Sequence, residues 1–149
     1  MDVKKVESQF QLLSSLIVSL NVNNTFLIYD ERKPGDKKID VSYEIKHTES
    51  LCEQNRQYGV LDLIIELSSA IEDDQYNLSA VIRGFFNAPL EMSQENFIEM
   101  LKINGCAALY SVARGIIGCI SSQTFSMGNI VMPMVNFVQF HELEKIQEE

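Results

Sequence analysis

Four segments of the chain alternate apolar and polar residues with a period of two, and this repeated pattern constrains the fold most. Along the first segment, the even positions from Phe10 to Val22 are mostly apolar, whereas Gln, Ser and Asn fill most odd positions. The other three segments start at Ile39, Leu61 and Tyr76. Because successive side chains of a strand point to opposite faces, each segment predicts a strand with one buried face.

Polar turns separate the predicted strands. The first contains Pro34-Gly35, and an acidic turn over residues 72–75 separates the last two strands. Consecutive strands joined by such turns indicate an antiparallel sheet. We expect the polar residues 47–57 to interrupt the pattern after the second strand. Residues 84–89 are expected to end the sheet as a loop that carries two adjacent aromatic side chains.

The period changes to that of a helix after Pro89. Ser93 is a suitable N-cap for a short helix, and apolar residues recur at helical spacing from Leu109 to Ile120. The sequence therefore predicts an α+β fold, in which a long helix from the C-terminal half packs beside a four-stranded antiparallel sheet.

Small residues follow a second face of the long helix, which we call the small-residue face. They are Ala108, Ser111, Gly115, Gly118 and Ser122. Each glycine costs a helix about 1 kcal/mol relative to alanine, and the close approach of another backbone commonly offsets that cost. We therefore predict that this face packs against a partner helix in an oligomer.

Residues 130–140 are apolar but follow neither period, and a short charged helix is expected over residues 141–149. Methionine and phenylalanine are concentrated in the second half of the chain, and such side chains suit a surface that accepts unlike apolar partners. We expect one apolar groove, formed by this segment and by the loop after the fourth strand. The alternative is that these residues fill the core. The predicted lining is Phe86, Leu90, Met132, Met134, Val135, Phe137 and Phe140.

Length and charge exclude several classes of protein. The 149 residues fit one domain, spanning residues 1–149, and the formal net charge is −9. Nucleic acid is not an expected partner, because phosphate binding needs clustered Lys and Arg. Two stretches lack charge, residues 8–29 and 115–140, but Ser, Asn and Gln interrupt both. No apolar segment follows the N-terminal lysines, so no signal peptide is expected. We therefore expect a cytosolic protein without membrane insertion.

The residue types that carry out catalysis or bind metals are sparse. Cys52, Cys106 and Cys119 lack Cys-x-x-Cys spacing, and the last two have apolar neighbours that favour burial. His47 and His141 lie beside acidic residues in polar stretches, which is typical of solvated surface. No phosphate loop or catalytic motif is present. We expect no enzyme activity, no metal and no cofactor.

The run over residues 104–117 places Leu109, Tyr110 and Arg114 near the start of the long helix, and Pro133-Met134-Val135-Asn136 follows later. These residues resemble the SecB family of protein-export chaperones. The resemblance implies the same α+β fold and no catalysis. It also implies a homotetramer, built as a dimer of dimers through the long helices. Members hold unfolded or precursor polypeptides in apolar grooves without ATP, and they deliver them to the SecA motor of the translocase.

Three positions depart from the pattern of the export members. In those proteins, acidic residues on the first and fourth strands contact SecA, and our alignment places Ile17, Asn21 and Ser79 there. SecB-like proteins also serve toxin–antitoxin systems, where they guard an antitoxin. We therefore keep two alternatives to export: a chaperone of a toxin–antitoxin system, and a structural oligomeric adaptor without general holdase activity.

Overall fold

The computed structural model describes residues 8–25, 37–71, 73–125 and 129–148. A 3-10 turn at Cys52–Gln54 joins the second strand to the third, and a π-helical turn at Leu101–Gly105 joins the first two helices. The predicted turn at Pro34-Gly35 lies outside the described residues, as does Glu72 of the acidic turn. The elements are β1 (Gln11–Asn24), β2 (Lys38–Leu51), β3 (Arg56–Ile71), β4 (Asp74–Pro89), α1 (Gln94–Met100), α2 (Cys106–Thr124) and α3 (Phe137–Glu148).

The four strands form one antiparallel sheet in the order β1-β4-β3-β2, and the helices pack on one face of it. The predicted α+β fold is therefore confirmed. Several strand ends differ from the prediction. β3 begins at Arg56, inside the stretch that was expected to interrupt the pattern. β2 continues through His47 to Leu51, and β4 continues through residues 84–89, where Phe86 pairs with Gly59 of β3. This pairing satisfies the backbone N–H and C=O groups of residues 84–89. They therefore extend the strand, although their sequence is typical of a loop.

β1 differs from the simple alternation that its sequence predicts. Its register with β4 shifts twice, around Leu13 and Val18. Each shift adds one residue to β1, so the face presented to the helices changes from even to odd positions and back. Ile17 consequently lies opposite the fully buried Ile82, on the helix side, whereas Leu16 lies on the outer side of the sheet.

The core lies between one face of the sheet and the helices. From α2, Leu109, Ala113 and Ile117 are fully buried, as the helical periodicity predicts. Gly84 allows this close packing, because a Cβ at that position would lie 2.7 Å from the Leu109 side chain and 2.6 Å from Phe86. The strands contribute fully buried side chains from alternate positions, among them Leu61, Leu63, Ile65, Ala80 and Ile82.

The helices begin at different positions from those predicted. Ser93 caps α1 as expected, since its Oγ accepts a hydrogen bond from the Asn96 N–H at 3.2 Å. The long helix does not begin anew after Gly105, because the π-helical turn runs directly into α2. α3 begins four residues earlier than predicted, where the Asn136 side chain accepts hydrogen bonds from two backbone N–H groups of its first turn.

The continuous helical stretch Gln94–Thr124 contains 31 residues, and by length and composition alone it is apolar enough to cross a membrane. Core helices of other proteins meet the same criterion. Here one side of α2 is fully buried against the sheet at Leu109, Ala113 and Ile117, while 33% of the apolar window as a whole is buried. The absence of membrane insertion stays a prediction.

Candidate functional site

A shallow pocket lies between α2 and the segment that precedes α3. Its volume is about 110 Å³, which has room for a side chain rather than for a drug-sized ligand of roughly 300 Å³ or more. Most of its walls are apolar or aromatic. The lining residues are Ala107, Tyr110, Ser111, Arg114, Met134, Val135 and Phe137.

Two side chains of α2 hold this segment in place. The Tyr110 hydroxyl donates a hydrogen bond to the Pro133 carbonyl at 2.8 Å, and Arg114 Nε donates one to the Met132 carbonyl at 3.1 Å. These bonds satisfy carbonyls of a segment that lies outside the sheet. Met132 is buried as a result, whereas Met134 remains 81% exposed at the edge of the pocket.

Arg114 brings a positive charge to the pocket. Its Nη1 lies 2.9 Å from the Met134 Sδ, and among the described residues no carboxylate forms an ion pair with it. Burial raises the pKa of Tyr110, and the nearby charge of Arg114 partly opposes that increase. The field of the guanidinium therefore reaches the pocket.

The structure brings together only part of the predicted groove. Met134, Val135 and Phe137 line the pocket, although Phe137 is itself 4% exposed and Met132 is buried beside it. Phe86 lies within β4, where it is fully buried, and its ring stacks on Phe10 with centroids 5.1 Å apart. Phe86, Met132 and Phe137 all belong to the buried hydrophobic core.

The two remaining groove residues are half-buried and occupy different places. The Leu90 N–H donates to the Asn55 carbonyl at 3.3 Å, beyond the end of β4. The Phe140 ring packs near Tyr43 of β2 and Phe137 of α3, with centroids 6.3 and 5.7 Å away. Binding of a client by these residues stays a prediction.

A cluster of polar side chains attaches α3 to the rest of the fold. The Tyr43 hydroxyl donates to Glu144 Oε2 at 2.6 Å, and its burial, followed by this hydrogen bond, raises the pKa of Tyr43. His141 was predicted at the surface but is only 6% exposed, with Nε2 3.9 Å from Glu99 and Nδ1 3.8 Å from Glu144. Its position four residues after Phe137, on the same helical face, is the sequence signal that indicates burial.

The cysteines and the carboxylate of Asp62 occupy different environments in the fold. Burial raises the pKa of Cys106 to about 12, whereas Cys119 is exposed, contrary to prediction. Asp62 accepts two hydrogen bonds from Arg83, at 2.7 and 2.8 Å, on the outer face of the sheet. Within the described ranges, no three His, Cys, Asp or Glu side chains are grouped to hold a metal.

The small-residue face of α2 is open in the single chain. Ser111, Gly115 and Ser122 are exposed, and Ala108 and Gly118 are half-buried. A Cβ added at either glycine would meet no described atom within 4 Å. The described part of the chain therefore makes no use of the close approach that these glycines permit, and packing against a partner helix stays a prediction.

The sequence analysis missed a second apolar surface, on β1. This strand is an edge of the sheet, and four of its large apolar side chains are between 45% and 53% exposed. They cluster around the two register shifts, where Leu16 lies on the outer side of the sheet and Ile17 on the helix side. The absence of any charge on β1 is the sequence signal for it. The four are Leu13, Leu16, Ile17 and Val18.

Comparison with known proteins relates this architecture to a solved chaperone. No protein-family model and no curated protein sequence matches the chain. A SecB-like chaperone of Mycobacterium tuberculosis, solved with a ChAD peptide from the HigA1 antitoxin, is similar with a TM-score of 0.59 and 9% identity. The match covers 85% of this chain and 90% of that chain. The fold is SecB-like.

At 9% identity, the similarity to the mycobacterial chaperone concerns the fold alone. A protein of unknown function from Streptococcus agalactiae also matches, with a TM-score of 0.44 and 10% identity over 84% of this chain and 97% of that one. That similarity is too low to support an argument. In this SecB-like fold, the pocket therefore has to be interpreted from its own residues.

Proposed function

We propose that this chain is a cytosolic, ATP-independent holdase chaperone that binds unfolded polypeptides. The observation that carries the proposal is the large apolar side chains left exposed on a SecB-like fold. Met134 is 81% exposed, and Val131 and Ile146 are each 69% exposed. Water disfavours such surface, and Met134 lines the pocket together with Val135 and Phe137, where an apolar ligand could cover it. An unfolded chain, rich in apolar side chains, is such a ligand.

Which polypeptides such a chaperone serves is a separate question. Precursors that are delivered to SecA for export are one candidate. Asn21 and Ser79 lie opposite each other across β1 and β4, whereas Ile17 lies on the other face of the sheet. None of the three side chains carries a charge, so the acidic contact expected of the export members is missing here. This supports a second candidate, the guarding of an antitoxin. The mycobacterial chaperone of similar fold was solved with an antitoxin peptide.

Suppression of aggregation tests the holdase proposal. Several unrelated proteins are unfolded and diluted with a stoichiometric amount of this chain, without nucleotide, and light scattering follows their aggregation. We expect the scattering of most of them to be suppressed. Met134→Ser should weaken the suppression, whereas Gln139→Ser, an exposed change outside the pocket, should not. Protection of one client or none would support the structural adaptor instead.

The proposal includes a homotetramer, a dimer of dimers that associates through the small-residue face. Replacing Gly115 by leucine should overpack that contact and shift the assembly toward dimer or monomer. Gly115→Ala adds only one methyl group and should therefore disturb the contact less than leucine does. Light scattering that shows the same oligomer for Gly115→Leu would contradict association through this face.

A further inference from the structure

Arg114 places a positive charge in the pocket, whose other walls are mostly apolar or aromatic. It is the one Lys, Arg, Asp or Glu between Lys102 and Glu142. One bond of its guanidinium, from Nε to the Met132 carbonyl, explains a structural role. The bond from Nη1 does not, because it ends at the Met134 thioether, which is a weak acceptor.

A carboxylate would be a better partner for that nitrogen. Hydrogen bonds from a guanidinium to a carboxylate are charge-assisted and roughly twice as strong as neutral ones. Met134 is 81% exposed, so it can move aside without opening the core. Four of the other seven Lys and Arg side chains in the described ranges pair with carboxylates, whereas Arg114 does not. The four are Lys38, Lys46, Arg83 and Lys145.

The spacing of the lining residues sets the length of the ligand. Tyr110 and Arg114 are one helical turn apart, which is about 6 Å along the axis of α2. Two residues of an extended polypeptide span about 6.6 Å, and their side chains point to the same side. In a segment that runs along α2, an apolar side chain packed beside Tyr110 therefore places the side chain two residues away next to Arg114.

We propose that this pocket binds an apolar side chain of an extended client segment and that Arg114 pairs with an Asp or Glu two residues away. The inference rests on the proposed holdase function and adds a sequence preference to it. Residues 115–140 carry no charge, so no acidic residue follows Arg114 in the chain before Glu142 to compete for its guanidinium. Apolar contacts supply the affinity, and Arg114 supplies the selection.

Three synthetic peptides test this preference. Each has a central leucine flanked two residues away on both sides by Glu, Gln or Lys, with acetylated and amidated ends to remove terminal charges. Fluorescence anisotropy measures their binding to the whole chain. We expect the Glu peptide to bind about fivefold more tightly than the Gln peptide, and the Lys peptide to bind most weakly.

The variant Arg114→Gln separates the charge from the structural bond, because glutamine still offers an N–H to the Met132 carbonyl. It should bind all three peptides about as tightly as wild type binds the Gln peptide. For wild type, about 0.5 M salt should abolish the advantage of the Glu peptide and leave the affinity for the Gln peptide within about twofold. This second measurement does not depend on the variant folding.

Equal binding of the Glu and Gln peptides to wild type would overturn the inference, as would a Glu preference that survives in Arg114→Gln. In either case, continued suppression of aggregation would leave the holdase function standing. No binding of any peptide would overturn the pocket as a client site. Failure of wild type to suppress aggregation would overturn the holdase proposal itself, and the inference with it.

Discussion

The two edge strands of the sheet, β1 and β2, differ in the kind of side chain that they expose to solvent. β2 carries charges of both signs along its length, with ion pairs between Lys38 and Asp40 at 3.8 Å and between Lys46 and Glu44 at 3.1 Å. α3 also attaches to its inner face through Tyr43. β1 has no charged residue and leaves four large apolar side chains about half exposed.

This difference indicates which edge associates with other polypeptides. An edge strand offers unpaired N–H and C=O groups to any other strand, and charged side chains are a common protection against such pairing. β2 has that protection and β1 lacks it. The chain as a whole carries a net charge of −9, so two copies repel each other least where they are uncharged. We expect β1 to take part in assembly and β2 to remain solvated.

The largest effect should come from comparing two isoleucines that face each other across β1 and β4. Ile82 is fully buried, whereas Ile17 is 45% exposed. Ile82→Ala should lower the free energy of unfolding by about 2–5 kcal/mol, because it leaves a cavity. Ile17→Ala should cost less than about 1 kcal/mol in the isolated chain. Denaturant titration at low protein concentration measures both, and equal losses would show that β1 belongs to the core.

Lysines placed on the two edges test assembly directly. The double variant Leu16→Lys and Val18→Lys should shift the oligomer to smaller species in size-exclusion chromatography with light scattering, because it brings like charges together across the contact. Ser42→Lys with Ser50→Lys on β2 is the matched control and should leave the assembly unchanged. Dissociation by the β2 variant, or a wild type that is monomeric at micromolar concentration, would reverse the comparison.

The attachment of α3 to β2 should produce a smaller effect, with a specific dependence on pH. Tyr43→Phe removes the hydrogen bond to Glu144 and should cost about 1 kcal/mol. Because the folded state raises the pKa of Tyr43, its stabilisation is complete below the ordinary value of about 10 and is lost as the pH rises above it. Wild type should therefore approach the stability of Tyr43→Phe at high pH. A constant difference between pH 8 and 11 would contradict this assignment.

Salt should have the smallest effect. The ion pairs on β2 are exposed, so about 0.5 M salt should change the free energy of unfolding by less than about 1 kcal/mol. Suppression of aggregation should also persist, since salt screens charge and leaves apolar burial intact. A collapse of client binding in salt would show that charges, rather than the apolar surfaces, hold the client.

The sequence predicted the type of each element better than its ends. Alternation located all four strands, and the run from Leu109 to Ile120 located α2. The pattern did not show that β4 reaches Pro89, because pairing with β3 extends the ladder through residues whose local preference is for a loop. It did not show the register shifts in β1 either, since those depend on how β1 aligns with β4.

The candidate site was predicted in part, for a similar reason. Methionine and phenylalanine after Pro89 indicated an apolar surface, and Met134, Val135 and Phe137 do meet at the pocket. Composition cannot separate Met132 from Met134, which are buried and 81% exposed, respectively. That difference depends on Tyr110 and Arg114 of α2, which donate hydrogen bonds to the backbone carbonyls of the segment that contains both methionines. His141 was wrongly predicted at the surface, because the prediction relied on its polar neighbours rather than on its helical spacing from Phe137.

By itself, the sequence determined the α+β class, the antiparallel sheet, the helix beside it and the charge-free character of β1. Periodicity and composition are local properties, and they act before any distant contact forms. Only the tertiary structure decided which apolar residues remain exposed, that Arg114 reaches the Met132 carbonyl, and that α3 contacts Tyr43 of β2. Those features join residues far apart in the chain, so they depend on packing and register rather than on local preference.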